Sequence, residues 1–222
     1  MAYVINKIYE ILKREIINLD LIPGTKLREE DLAKRFEISR TPIRSVISRL
    51  ENEGLVEVIS QKGTYVTRID ADKVDDYIYI RKTIENNVIE EVINKITRDQ
   101  IEKLNEILIE QKQIIEMPYS IERGKKFFHN DNLFHKTLFS FAKREGTWTI
   151  IHSEATALNR VRMMSNLRKQ TQIENIYEQH CLLVKYLSQH DLRNALLVFR
   201  DHIDGGFDGI SAVQEKYPNY FL

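Results

Sequence analysis

Apolar residues recur at helical spacing over most of this 222-residue chain, and this periodicity limits the folds that it can adopt. From about residue 71 onward the helical pattern is nearly continuous, with Pro only at positions 118 and 218. Before that point short helical patterns alternate with turn signals and end in two β-branched runs. The sequence therefore predicts a mainly α fold in two domains, residues 1–70 and residues 71–222.

The charge balance excludes one class of nucleic-acid-binding protein, the uniformly basic coat. The chain has 33 Lys and Arg residues and 33 Asp and Glu residues, so its formal net charge is zero. A local basic patch is still compatible with this balance, and charge must be read segment by segment. A hydrophobic content of 42% is enough to form buried cores and too high for a disordered chain.

Cysteine content and apolar runs bear on where the protein acts. Cys181 is the single cysteine, which excludes an internal disulfide and a CxxC zinc ribbon. The longest apolar run is residues 195–199, whereas a membrane-spanning helix needs about 20 residues. No signal peptide is evident at the N-terminus. We therefore expect a soluble, cytoplasmic protein with no membrane partner.

Turn residues divide the first domain into three short helices. A first amphipathic helix must end before Pro23 and Gly24, which form a strong turn dipeptide. After a second short helix, Ser39 is the predicted N-cap of a third helix, and Pro42 falls in its first turn, where a missing N–H has no cost. Gly54 is the predicted left-handed cap at the end of that helix.

Two β-branched segments follow the third helix. Residues 56–59 and 64–67 are typical of strands, and residues 61–63 are typical of a turn between them. Three short helices followed by a hairpin predict a winged helix-turn-helix domain, in which the third helix is the recognition helix and the hairpin is the wing.

The outer face of the third helix is cationic although the chain is neutral. Residues 38–50 contain three arginines and no acidic residue. DNA phosphates attract such a stripe, and arginines can form paired hydrogen bonds with guanine edges in the major groove. The alternative is a solvated helix face that lacks acids, but the order of the elements favours DNA binding. The polar residues on this face are Arg40, Thr41, Arg44, Ser45, Ser48 and Arg49.

Residues 21–56 closely resemble the GntR superfamily of bacterial transcription regulators. The matching residues are Pro23-Gly24, Leu32-Ala33, Ser39-Arg40-Thr41-Pro42, Arg44, Leu50 and Glu53-Gly54-Leu55-Val56. The resemblance implies that Arg40, Thr41 and Arg44 contact DNA. It also implies that Lys62 and Gly63, at the tip of the wing, enter the neighbouring minor groove.

One position departs from that family pattern. Some members carry an arginine early in the second helix, where this chain has Glu30, and either Arg28 or Arg35 is a candidate substitute. The complete predicted DNA-binding set is Arg28, Arg35, Ser39, Arg40, Thr41, Arg44, Arg49, Lys62 and Gly63.

The second domain is predicted to be an all-helical bundle, because no strand signal there matches the strength of the helical pattern. After a helix over residues 73–96, Thr97 and Gln100 form a predicted capping box that opens the next helix. The further helices are predicted over residues 120–128, 130–142, 147–167, 172–188 and 192–216.

Three of the six histidines are predicted to point into this bundle. Asp131 and His135 are four residues apart and share an apolar helix face. His180 and His202 lie on the apolar stripes of two later helices. Buried polar groups are costly unless they are paired or bound to a metal. Three imidazoles and a carboxylate suit Zn²⁺, Ni²⁺, Co²⁺, Fe²⁺ or Mn²⁺, and the alternative is a set of separate hydrogen-bonded core residues.

The same residues resemble the FCD domain, which is the ligand-binding helical domain of the FadR-like GntR subgroup. Residues 131–138 together with His180 and His202 match its pattern. In the metal-binding members, an aspartate and three histidines at these positions hold a divalent ion. The resemblance therefore implies that all four ligand positions are filled in this chain.

Two arginines are candidates for binding an effector beside the metal. Arg81 lies on the first helix of the second domain with Glu85 one turn later, and Arg162 lies on the apolar stripe of a later helix. An inward guanidinium suits a carboxylate ligand, and the subgroup resemblance favours a small organic acid. We assign all three residues to the effector site, and the alternative is a structural salt bridge between Arg81 and Glu85.

These features together predict a homodimeric, ligand-responsive transcriptional regulator, expected to be a repressor, that binds a palindromic DNA operator. Its second domain is expected to dimerise and to bind a divalent metal and a small organic acid. The rival hypotheses are a metalloenzyme and a regulator whose metal is purely structural. No inward glutamate is clearly poised as a general base, which argues against the enzyme.

Overall fold

The structure is a computed structural model that describes residues 2–166, 170–205 and 210–222. Its internal contacts divide the chain into two compact units. The N-terminal unit consists of Met1–Ala71 and Gln214–Leu222, and the helical unit consists of Asp72–Val213. Each unit has its own buried core.

The N-terminal unit contains three helices and a three-stranded antiparallel sheet. In chain order they are α1 Ala2–Ile17, β1 Lys26–Leu27, α2 Glu29–Arg35, α3 Arg40–Asn52, β2 Val56–Ile59 and β3 Gly63–Val66. β3 is the central strand of the sheet, with Tyr65 opposite Lys26 of β1 and Glu57 of β2. The predicted winged helix-turn-helix is confirmed. Strand β1 was not predicted, because two residues are too few to show alternation.

Helix α3, the predicted recognition helix, ends in the manner that its sequence predicts. Gly54 has a φ of +67°, a left-handed conformation that is strained for other residues. The Leu55 N–H donates to Leu50 O at 2.9 Å, and the Gly54 N–H donates to Glu51 O at 2.9 Å. These two bonds satisfy carbonyls of the last turn and close the helix. At the other end Ser39 is the N-cap, but its hydroxyl makes no capping bond to any described residue.

Apolar faces of the three helices form the core of the N-terminal unit. Leu12 and Ile16 of α1 are buried against Ile43, Val46 and Leu50 of α3. Burying an aliphatic side chain of this size contributes about 1.5–3 kcal/mol. Because this face of α3 is committed to the core, the opposite, arginine-bearing face is directed to solvent.

The last residues of the chain pair with the segment that follows the hairpin. The Ile69 N–H donates to Tyr220 O at 2.8 Å, and the Leu222 N–H donates to Ile69 O at 3.0 Å. Ile69 and Phe221 are both buried. The sequence analysis placed residues 214–222 with the helical domain, whereas the structure groups them with the N-terminal unit.

Helices account for all the regular structure described between residues 72 and 213. The helices are α4 Ala71–Ile93, α5 Arg98–Glu116, α6 Ile121–Phe141, α7 Glu145–Glu154, α8 Thr156–Asn166, α9 Gln170–Ser188, α10 Leu192–Gly205 and α11 Ile210–Lys216. The predicted capping box is confirmed at the start of α5, where the Gln100 N–H donates to Thr97 Oγ1 at 3.3 Å and the Thr97 N–H donates to Gln100 Oε1 at 3.0 Å.

Three predicted helix boundaries differ from the structure. α6 is one helix where two were predicted, because buried residues continue along one face through the expected break. The helix predicted over residues 147–167 is instead two helices, α7 and α8, which are divided at Ala155. The helix predicted over residues 192–216 contains α10 and α11. Residue 167 and residues 206–209 lie outside the described residues.

Helix α6 occupies the interior of the helical unit. It packs against α5, α7 and α8, while α9 packs against α5 and α10. Phe134 and Leu138 of α6 are buried with Leu183 of α9 and Phe199 of α10. Polar residues on the same face of α6 are therefore carried into the core. No described helix is long and apolar enough to cross a membrane.

Candidate functional site

The exposed face of α3 carries the predicted DNA-contacting residues. Arg40, Thr41 and Arg44 are all exposed there. Arg40 Nη2 lies 2.5 Å from Glu30 Oε1, and Arg44 Nε lies 2.9 Å from Glu29 Oε2. Both acidic partners belong to the first turn of α2. This face of α3, the predicted recognition face, therefore presents Arg40 and Arg44 in ion pairs at the surface.

Two other predicted DNA-binding arginines are directed towards α1. Arg49 lies over the ring of Tyr9, with 3.5 Å between Cζ and the ring centroid, and donates to Asn6 Oδ1 at 2.9 Å. Arg35 Nη1 donates to Glu15 Oε2 at 2.8 Å. These contacts tie α2 and α3 to α1. Sequence reasoning did not anticipate them, because the partners are 20 and more residues away.

The remaining predicted DNA-binding residues lie at two helix starts and in the wing. Arg28 and Ser39 precede α2 and α3 and are both exposed. Lys62 is exposed in the turn of the hairpin, and its N–H donates to Ile59 O at 3.0 Å. Gly63 follows with a φ of +122°, so the wing turn uses a conformation that favours glycine.

The four predicted metal ligands meet inside the helical unit. α6 supplies Asp131 and His135 from one face, α9 supplies His180 and α10 supplies His202. One possible ligand atom from each residue lies within 4.8 Å of all the others, and all four residues are buried. His135 Nε2 and His202 Nε2 are 3.1 Å apart. Asp131 Oδ1 lies 3.6 Å from His180 Nε2.

Each histidine of this cluster has its other ring nitrogen next to an oxygen from a different helix. The distances are 2.6 Å from His135 Nδ1 to Glu85 Oε2, 3.0 Å from His180 Nδ1 to Gln111 Oε1, and 3.3 Å from His202 Nδ1 to Gln179 Oε1. The glutamine oxygens can accept the Nδ1–H of His180 and His202, and Glu85 pairs with His135 Nδ1. With the protons on Nδ1, the lone pair of each ring lies on Nε2. The three Nε2 lone pairs are thus directed into one small volume.

These residues fit a divalent transition metal ion. His180 Nε2 is buried and has no hydrogen-bond partner among the described residues. The 3.1 Å separation of His135 Nε2 and His202 Nε2 suits either a hydrogen bond between the two rings or one cation bound by both. Nitrogens that share one Zn²⁺ at about 2.0–2.1 Å are about 3.3 Å apart in tetrahedral geometry, which is close to the observed spacing.

The protonation states of the cluster also suit a metal. Burial lowers the pKa of His180 to about 3 and lowers the pKa of His202 well below its usual value, so both imidazoles are neutral near pH 7. Burial alone would raise the pKa of Asp131, but the nearby charges, Arg162 foremost, lower it to about 2. His180, His202 and Asp131 are therefore two neutral imidazoles and an ionised carboxylate, the forms in which these side chains bind metals.

A small cavity of about 60 Å³ adjoins the cluster. Its walls include Asp131 and His202 of the cluster together with the predicted effector residues Arg81 and Arg162. Glu85 is not among the described residues that line it, although the sequence analysis assigned it to the effector site. The structure brings Glu85 to His135 instead.

The two arginines of the cavity are held in different ways. Arg81 Nε lies 2.5 Å from Glu85 Oε1, so the salt bridge considered as an alternative is present. Arg81 Nη2 nevertheless has no hydrogen-bond partner among the described residues, although it is buried. Arg162 pairs with Asp131 and donates to Asn132 Oδ1 at 2.9 Å. Burial lowers the pKa of Arg162 to about 10, which still leaves it charged at neutral pH.

Within the described part of the chain, the histidines at positions 129, 152 and 190 lie outside the cluster. His129 is exposed, and His152 stacks on Trp148 with ring centroids 4.9 Å apart. His190 Nδ1 lies 2.6 Å from Ile93 O. Cys181, beside His180 in sequence, is half-buried and also outside the cluster.

Sequence reasoning missed Gln111 and Gln179, which accept from two of the cluster histidines. Gln111 is fully buried on the inward face of α5, between Leu108 and Ile115. A glutamine at an apolar helix position was the signal that could have identified it, since a buried amide requires partners.

Comparison with known proteins identifies both parts of the chain. Residues 4–66 match the family of bacterial regulatory proteins named gntR, and residues 76–205 match the FCD domain. The chain is 28% identical over 215 residues to the HTH-type transcriptional repressor RspR of Escherichia coli K12, which covers 97% of this chain and 92% of that protein. It is 24% identical to the Nta operon transcriptional regulator of Aminobacter aminovorans, over 88% of this chain and 91% of that protein.

Solved structures show the same fold. E. coli McbR/YncC superimposes with a TM-score of 0.77 at 17% identity, covering 96% of this chain and 98% of that one. A putative GntR regulator from Rhodococcus sp. RHA1 superimposes with a TM-score of 0.72 at 18% identity, over 96% and 99% of the two chains. The relatives and the fold are those of transcriptional regulators and not of enzymes. The chain belongs to the GntR family and is a DNA-binding transcriptional regulator with an FCD domain.

Proposed function

We propose that this regulator is a homodimeric repressor whose helical domain, residues 71–222, binds a divalent metal and a small organic acid. Residues 1–70 would hold the operator, and Asp131, His135, His180 and His202 would hold the metal. The observation that carries the proposal is the convergence of three Nε2 atoms whose rings are each held through Nδ1. A bound ion would supply a Lewis-acidic site for a carboxylate.

Charge supports an organic acid as the effector. Among the described side chains at the site, the two guanidiniums of Arg81 and Arg162 offset the two carboxylates of Glu85 and Asp131. A divalent ion would leave this buried site with a net positive charge, which an anionic ligand offsets. Arg81 lines the cavity, and its Nη2 is a donor with no hydrogen-bond partner among the described residues, so its guanidinium suits a carboxylate ligand.

The effector would act by binding two arrangements of the regulator with different affinities. A ligand changes operator binding only when it binds the DNA-competent and DNA-incompetent arrangements unequally. The name of the relative RspR supports repression as the sign of regulation. A dimer would place one DNA-binding domain on each half of a palindromic operator.

Measuring operator binding against added acids tests this function. Metal-loaded protein should release a duplex, selected by the protein from a randomised pool, when one of a panel of small mono- and dicarboxylates is added. Arg81→Lys keeps the charge beside Glu85 but removes the guanidinium fork, so it should retain the metal and lose the response. A thermal shift with metal but with no acid in the panel would favour a purely structural ion.

The dimer is tested by sedimentation of the full-length chain. We expect a species of twice the 26.3 kDa chain mass at micromolar concentration. A monomer that persists with metal and operator present would contradict the proposal.

Gln111→Leu should weaken metal binding while preserving all four ligands. The substitution removes the oxygen that fixes the His180 ring, and losses of such partners cost about 10–100-fold in metal affinity. Competition with a chromophoric chelator measures this change. Gln113→Leu is the matched control, because Gln113 is exposed on the same helix. Equal affinities for the two variants would contradict a positioning role for Gln111.

Metal-stripped protein should lose stability as the pH falls below about 6.5. The pKa values of buried His180 and His202 are lowered from 6.5 in the folded chain. At a pH between the folded and unfolded values, the unfolded chain binds protons that the folded chain does not, so the free energy of unfolding decreases with falling pH. Thermal melts in EDTA between about pH 7.5 and pH 5 should show a declining Tm. A constant Tm would indicate that the folded protein accepts these protons.

A further inference from the structure

Two acidic residues of α2 lie against the two leading arginines of the recognition helix. Glu30 contacts Arg40 at 2.5 Å and Glu29 contacts Arg44 at 2.9 Å. The arginines are one turn apart on α3, and the glutamates are the first two residues of α2. The two pairs therefore form a double bridge between the helices of the helix-turn-helix, on the face predicted to contact DNA.

The fold does not depend on this double bridge. The side chains of Arg40 and Glu30 are 56% and 59% exposed, and those of Arg44 and Glu29 are 66% and 33% exposed. Ion pairs that are this accessible to water contribute about 0–1 kcal/mol to stability. The effect of the glutamates on DNA binding is larger in principle, because affinity for any duplex rests on uncompensated positive charge.

We propose that Glu29 and Glu30 are specificity determinants of DNA recognition. They neutralise the two arginines in the free protein, so a generic phosphate contact must first displace a carboxylate. A matched base pair offers an arginine paired hydrogen bonds to a guanine edge, which compensate for the displaced partner. The glutamates thus weaken binding to unmatched DNA more than binding to the operator. Specificity then comes from destabilising the complex with unmatched DNA.

A third acidic residue in the same turn of α2 provides a control for the general effect of negative charge on DNA binding. Asp31 directly follows Glu30 and is exposed, and no described arginine pairs with it. All three acids lie at the N-terminus of α2, where negative charge interacts favourably with the helix dipole. Asp31→Asn therefore removes one negative charge from the same turn, as each glutamate substitution does, and leaves both arginine pairs in place.

The test compares full-length wild type, Glu29→Gln/Glu30→Gln and Asp31→Asn by fluorescence anisotropy over a range of salt concentrations. One probe is a duplex that wild type selects from a randomised pool, and the other is a shuffled duplex of equal length and composition. The double variant should bind the shuffled duplex about tenfold tighter, with a salt slope steeper by about 1–2. It should bind the selected duplex less than about threefold tighter, so the specificity ratio falls.

Asp31→Asn should change the affinities for both duplexes by the same smaller factor. An unaltered specificity ratio in the double variant, or weaker binding to both duplexes, would overturn the proposal. The melting temperature of each variant is measured first, and Glu30→Gln alone is used for the same comparison if the double variant melts early. The outcome is independent of the metal and effector, since all samples are compared in the same metal-loaded state.

Discussion

His180→Ala is expected to abolish tight metal binding and to lower the melting temperature of metal-loaded protein. His180 is fully buried, and its Nε2 has no partner among the described residues. A ligand present at 100–1,000 times its Kd stabilises a protein by about 2.7–4.1 kcal/mol, and this stabilisation is lost with the site. At about 2–4 °C per kcal/mol for a chain of this size, the Tm should fall by about 5–15 °C.

The matched control for this substitution is His129→Ala. His129 lies on α6, between the start of the helix and the ligand Asp131, but is exposed. Its removal should leave metal content and Tm nearly unchanged. The metal account would be refuted if His180→Ala bound as much metal as His129→Ala. Any response to an organic acid should disappear in the first variant and persist in the second.

Arg44→Ala is expected to weaken binding to the selected operator by about 1–3 kcal/mol, the range for a bidentate base contact. This corresponds to about a 5–150-fold rise in Kd. Arg44 is exposed on the face of α3 opposite the buried Ile43, Val46 and Leu50, and its present partner is Glu29. The arginine is therefore free of any core role that could confuse the result.

Arg98→Ala provides the charge-matched control for Arg44→Ala. Arg98 is a 90% exposed arginine at the start of α5, in the helical unit, and pairs with Glu102. Anisotropy titrations should find nearly wild-type operator binding for this control. If Arg44→Ala bound the selected duplex as tightly as Arg98→Ala, the assignment of α3 as the recognition helix would be wrong.

The sequence predicted the parts of the fold that depend on local chemistry. The end of α3 follows from Gly54, whose backbone conformation favours glycine, and the start of α5 follows from the reciprocal bonds of Thr97 and Gln100. Strand β1 and the pairing of Ile69 with Phe221 were not predicted. Both depend on partners far along the chain, which leave no periodic signal in a segment of two or three residues.

The same distinction applies to the candidate metal site. Four ligand residues could be selected because helical spacing places Asp131 and His135 on one face and apolar stripes place the other two inward. The groups that hold the imidazoles could not be selected from the sequence. Glu85 and Gln111 come from other helices, and only the tertiary fold brings these helices next to the histidines. Glu85 was assigned to the effector for the same reason.

In the DNA-binding domain, the sequence could not show which helix each surface arginine contacts. Arg35 and Arg49 were grouped with Arg40 and Arg44, yet the structure directs the first two to α1. The intramolecular partners of an arginine depend on distances between helices, and helical spacing within one element does not contain them.

Elemental analysis of the full-length protein tests the central claim most directly. One sample is protein as purified from cells. The other samples are stripped with EDTA and then incubated with Zn²⁺, Ni²⁺ or Mn²⁺. All samples are desalted before their metal content is measured. The buried cluster of Asp131, His135, His180 and His202 predicts about one divalent ion per chain. Wild-type protein that remains metal-free after all three incubations would contradict the account, and the four residues would then be ordinary hydrogen-bonded core residues.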